Sequence, residues 1–78
     1  MSKTIQNDPY EGLANANVLL AVKNYRVALN KLRKNPRNKA ALEEKESCER
    51  FFRSNWYSFL TSVDPEYLIQ RLNEEVNA

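Results

Sequence analysis

Five of the chain's eight aromatic residues fall between positions 51 and 59: Phe51, Phe52, Trp56, Tyr57 and Phe59. Arg50 and Arg53 stand among them. Aromatic rings beside arginine can stack on the bases of single-stranded nucleic acid, or anchor the centre of a protein–protein interface. Core packing is the simplest reading and the one expected. Phe52, Trp56 and Phe59 recur at spacings of four and three, so one unbroken helix would put all three on its inner face. Phe51 and Tyr57 do not fit that face. They are expected to pack on a neighbouring helix, to meet another chain, or to stay exposed.

The second constellation is basic. Lys23, Arg26, Lys31, Arg33, Lys34, Arg37 and Lys39 lie between Gly12 and Leu42 with no acid among them. Residues 1–39 hold eight basic and two acidic residues, whereas residues 40–78 hold four basic and eight acidic ones. Lys31, Arg33, Lys34, Arg37 and Lys39 cluster tightly enough to serve as nucleic-acid contacts, since phosphates take mobile cations of this kind. Interhelical pairing competes with that reading. If the chain folds back about Pro36, Lys23 is expected to face Glu49 and Arg26 to face Glu46. Cations near the end of the first helix also complement its negative dipole end. The sequence pI of 8.8 lies below the level above about 9 that marks nucleic-acid-binding domains. Nucleic acid therefore stands second to protein as the expected partner.

The remaining reactive groups point away from catalysis. Glu43 and Glu46, or Glu46 and Glu49, share a helix face, but carboxylate metal sites in helical bundles usually recruit histidine as well. The chain has no histidine, which also removes the commonest general base and pH switch. The acidic run reads as a solvated face. Cys48, the one cysteine, has no histidine to activate it and no second thiol to pair with. It reads as a buried, inert thiol. A single glycine leaves no material for a phosphate-cradling loop. A non-enzymatic protein is expected, with no metal, no cofactor and no small-molecule substrate. The polar start lacks the apolar stretch of a secretory signal. No apolar run approaches the roughly 18 residues of a membrane span. These features predict a cytoplasmic protein that does not enter a membrane.

The elements that must position these groups are helices. Seventy-eight residues make one domain with a small core. All three prolines follow an Asx residue, as Asp8-Pro9, Asn35-Pro36 and Asp64-Pro65. An Asx side chain caps a helix start, and proline suits the first helical position. The expected fold is therefore all-α, a three-helix antiparallel bundle with helices over about 9–34, 37–62 and 65–76, and residues 1–7 disordered. Asn38 competes as the cap of helix 2. That helix either breaks at Ser54-Asn55, where serine can cap a fresh segment, or continues. Val18, Val22, Tyr25, Leu29 and Leu32 form the inner seam of helix 1, with Ala21 and Ala28 beside it. Ala41, Leu42, Cys48 and Phe52 mark helix 2. Leu68, Ile69, Leu72 and Val76 mark helix 3.

Helix 1 carries a second apolar line, Leu13, Leu20 and Val27, seven residues apart. Helix 3 is short for covering it alone. With Phe51 and Tyr57, these residues are the candidate protein interface. They predict a helical interaction module that self-associates to a homo-oligomer or docks on another protein.

One stretch carries a resemblance. Residues Cys48-Glu49-Arg50-Phe51-Phe52-Arg53-Ser54-Asn55-Trp56-Tyr57, then Leu60-Thr61 and Asp64-Pro65-Glu66-Tyr67-Leu68-Ile69, resemble a recurring C-terminal pattern of small all-helical proteins of phages and integrated mobile elements of Gram-positive bacteria. The resemblance covers a third of the chain. It implies a phage or mobile-element setting and no particular activity.

Overall fold

The computed structural model describes residues 15–77. Four helices follow one another there: α1 (Ala16–Lys34), α2 (Lys39–Phe52), α3 (Asn55–Leu60) and α4 (Pro65–Asn77). No strand occurs among the described residues. The all-α class is as expected. The count of three helices is corrected to four, because of the two alternatives for the segment 37–62 it is the break at Ser54-Asn55 that occurs.

Each start has a local cause. Asn15 is extended (φ −76°, ψ 128°) and its side chain accepts the Asn17 N–H at 2.8 Å. The helix carrying the seam thus begins at Ala16. The Asp8-Pro9 start and the disorder expected for 1–7 fall outside the described residues. Asn35-Pro36 is a turn, not a start. The Asn35 side chain accepts the Arg37 N–H at 3.1 Å, and its carbonyl accepts the Asn38 N–H at 3.0 Å. Asx followed by proline suits the first two positions of such a turn as well as it suits a helix cap. Asn38 then caps α2, accepting the Ala41 N–H at 3.0 Å. Asp64-Pro65 does open α4, with Asp64 Oδ1 accepting the Glu66 N–H at 3.0 Å.

Ser54 decides the fate of the aromatic run. Its hydroxyl donates to the Phe51 carbonyl at 2.6 Å and accepts the Tyr57 N–H at 3.2 Å. The serine backbone is extended (φ −83°, ψ 160°), so α2 stops and α3 starts afresh. An α-helix turns through about 100° per residue, and an extended residue breaks that count. Spacing measured from Phe52 no longer tells which side Trp56 or Phe59 occupies.

The core consists of Val18, Val22, Tyr25 and Leu29 from α1, Cys48 and Phe52 from α2, Tyr57 from α3, and Leu68, Ile69 and Leu72 from α4. Phe52 stands at its centre. Edge-to-face contacts join it to Tyr25 (centroids 5.6 Å apart) and to Tyr57 (5.8 Å), and Phe51 meets Tyr57 in the same way at 5.9 Å. Such pairs add about 0.5–1.5 kcal/mol each beyond area burial. Leu42, expected inside, is exposed, because Ala41 takes the inner position next to it.

Alanines allow close approach near the turn. Ala28 and Ala41 are both buried and line one cleft between α1 and α2. Further along, Ala21 lies near Cys48. This descending register makes α1 and α2 antiparallel, as a four-residue connection demands. Arg53 meets Glu66, whereas Glu49 and Asn73 meet at Tyr25. Stepping back along α2 thus matches stepping forward along α4, so these two run antiparallel as well.

Candidate interaction surfaces

A half-buried polar network ties three helices together. Tyr25 donates its hydroxyl to Glu49 Oε2 at 2.6 Å and accepts from Asn73 Nδ2 at 3.0 Å, which joins α1, α2 and α4. Lys45 bonds the same carboxylate oxygen at 2.8 Å. Burial, and next the Glu49 acceptor, push the Tyr25 hydroxyl far above its ordinary range. Burial alone would raise the Glu49 carboxyl, but the bonds from Lys45 and Tyr25 and the charges of Lys45 and Arg53 outweigh it and hold the group below its ordinary value. Tyrosine stays protonated and glutamate stays ionised, so the bond is static near neutral pH. The Cys48 thiol is pushed up to about 12 by burial and then by its bond to Glu44, which leaves little reactive thiolate. Tyr57 is pushed up to about 12 by burial and then by the charge of Asp64; it donates to the Val63 carbonyl at 3.0 Å.

The expected interhelical pairs do not form. Arg26 reaches α4 and pairs with Glu75 at 2.8 Å, and Glu49 is held by Tyr25, Lys45 and Arg53. Lys23 has no ion pair among the described residues. The reason is orientation: Tyr25 takes the inner position facing Glu49, which sends the next residue, Arg26, toward α4. Among the described residues no three acidic or cysteine side chains come together to hold a metal ion.

Three surfaces remain. The first is a groove along α1 and α2. Leu20 and Phe51 line one end and Val27 the other, with Asn24 and Glu44 common to both. Leu20 is 56% exposed and Val27 45% exposed, while Phe51 is half-buried against the core. Three of the residues proposed from sequence thus share one face. Leu13 falls outside the described residues. Tyr57, proposed with them, is 1% exposed and offers a partner nothing; the restart at Ser54 turns it inward.

The second surface was missed by sequence reasoning. Trp56 and Phe59, expected in the core, are 58% and 82% exposed. They sit three apart on α3, hence on one side of it. The signal that could have found them is the Ser54 cap, used to restart the helical count.

The third surface is the turn between α1 and α2. Lys31, Arg33, Lys34, Arg37 and Lys39 are all exposed. None of their side chains has an ion pair or hydrogen bond among the described residues; the ion-paired cations there are Arg26, Lys45, Arg53 and Arg71. No described helix is long and apolar enough to cross a membrane. No protein family, no curated protein and no solved structure matches the chain.

Proposed function

We propose that this chain is a non-enzymatic helical protein–protein interaction module that self-associates, with the outer face of α3 as its primary contact. The observation that carries the reading is the pair Trp56 and Phe59, two large exposed rings three residues apart on one short helix. Burying an aromatic side chain of this kind stabilises an assembly by roughly 1.5–3 kcal/mol. Tryptophan in particular recurs at the energetic centre of interfaces. The groove lined by Leu20, Val27 and Phe51 supplies a second apolar surface for the partner copy. The setting we infer, from the resemblance carried by residues 48–69, is the cytoplasm of a bacterium harbouring a phage or integrated mobile element.

Light scattering after size exclusion tests this. The chain should run as a dimer or larger species at high micromolar concentration, and the W56A/F59A variant should run as a folded monomer. A wild-type chain that stays monomeric throughout overturns self-association. An oligomer that W56A/F59A leaves intact moves the contact away from α3, and substitution of Leu20 and Val27 by asparagine then tests the groove.

A further inference from the structure

The cations of the α1–α2 turn are not explained by the fold. Ion pairing does not account for Lys31, Arg33, Lys34, Arg37 or Lys39, since none has such a partner among the described residues. Acid is not in short supply: Glu43, Glu44 and Glu46 follow within two turns on α2. The helix dipole accounts for only part of the cluster. Lys31, Arg33 and Lys34 complement the negative end of α1. Arg37 and Lys39 flank the positive end of α2, whose first turn holds no acid. Cations there work against the dipole. Five exposed charges within nine residues are thus gathered where local stability gives no reason for at least two of them.

We infer that this turn is a docking surface for the phosphodiester backbone of nucleic acid, which it grips without reading sequence. The residue types select that partner over the other polyanions. Stable anchoring on an anionic membrane takes a second signal beside a basic cluster, such as an inserted apolar face, whereas Leu32 in this segment is half-buried and its other residues are polar apart from Pro36. Protein–protein contacts in general are enriched in aromatic residues and depleted in lysine, whereas 31–39 holds three lysines and no aromatic. Phosphates need mobile cations alone. Backbone contacts of this kind position a protein on nucleic acid but carry no sequence information. The turn also sits apart from α3. It closes one end of the α1–α2 hairpin, and the 14 residues of α2 put about 20 Å between it and the start of α3. The two surfaces can therefore act at once, and the inference does not rest on the self-association reading.

Fluorescence anisotropy with short labelled DNA duplexes of two unrelated sequences tests it. Both duplexes should bind alike. With five phosphates engaged, the slope of log affinity against log salt is about −4.5, so affinity should fall about 500-fold between about 50 and 200 mM salt. The R33Q/K34Q/R37Q variant should keep its circular dichroism spectrum and show a slope near −2. R33E/K34E/R37E should abolish binding. The control K23Q/R50Q removes exposed charge elsewhere and should leave binding unchanged. No binding at low salt overturns the inference, as does a control that weakens binding as much as the triple variant. Equal or tighter binding to phosphatidylserine vesicles, or to polyglutamate, assigns the turn to another partner and overturns it too.

Discussion

The two short connections that bound α2 use the same device and achieve opposite things. At Asn35–Asn38 an asparagine side chain accepts an N–H three residues on, and at Arg53–Ser54 a serine does the same. The first connection reverses the chain and leaves Arg37 and its neighbours in solvent. The second scarcely opens a gap, yet it decides that Phe52 and Tyr57 lie inside while Trp56 and Phe59 lie outside. A cap therefore does more than stabilise a helix end. Its position sets the rotational phase of everything that follows.

The contrast is sharpest in the aromatic run. Phe52→Ala should cost about 3–5 kcal/mol of folding stability in urea unfolding, because Phe52 touches Tyr25 and Tyr57 at the centre of the core. Phe59→Ala should change stability by no more than about 0.5 kcal/mol, measured on dilute monomer. Equal losses would mean that α2 runs on through Ser54 and carries Phe59 into the core. Next in size is Tyr25→Phe. It strips Glu49 and Asn73 of their shared partner and should cost about 1–3 kcal/mol.

That network also titrates. Glu49 has its folded value below the ordinary 4.5, so its contribution is full above the unfolded value and is lost as pH falls through the folded one. The melting temperature should drop on acidification below about 4.5, and Glu49→Gln should reduce that drop. Tyr25 and Tyr57 are shifted the other way. Their contribution is full below the ordinary value of 10.0 and is lost as pH rises above it toward the folded values.

The caps themselves come next. Ser54→Ala and Asn38→Ala should each cost about 1 kcal/mol by thermal melting. Only Ser54→Ala should alter the near-ultraviolet signal of Trp56, because only that cap fixes α3. The smallest effect has the opposite sign. Lys39→Glu puts an acid at the positive end of α2 and should stabilise the chain by about 0.3–1 kcal/mol. The same change should weaken DNA binding in the anisotropy assay. A Lys39→Glu that destabilised the chain would show that this cation serves the fold after all.

Much of this was legible in the sequence, and the misses share a cause. The seam Val18, Val22, Tyr25 and Leu29 and the α4 face Leu68, Ile69 and Leu72 follow from spacing within a single helix, where every residue shares one phase. Asp64-Pro65 reads as a start and is one. Asn35-Pro36 reads the same way and is not, because the pair serves a turn equally well. Trp56 and Phe59 were misplaced by carrying one phase across Ser54. The expected ion pairs failed for a related reason: spacing tells which face a residue occupies, not which of two neighbouring helices that face meets. Of the candidate surfaces, the basic turn was visible because charge needs no phase. The Leu20–Val27 line was visible because it lies within one helix. The α3 face was hidden because it exists only after the restart.

The shortness of α3 bears on how any binder recognises it. Six residues are far below the 12–15 or so that an isolated helix needs to hold its shape in water. What holds it is Tyr57, buried under Phe51 and Phe52 and tied to the loop through Val63. The determinant formed by Trp56 and Phe59 is therefore conformational and not linear. A synthetic peptide copied from residues 54–62 would carry the same letters without the shape, and an antibody raised against the folded chain at this site should fail on a denaturing blot.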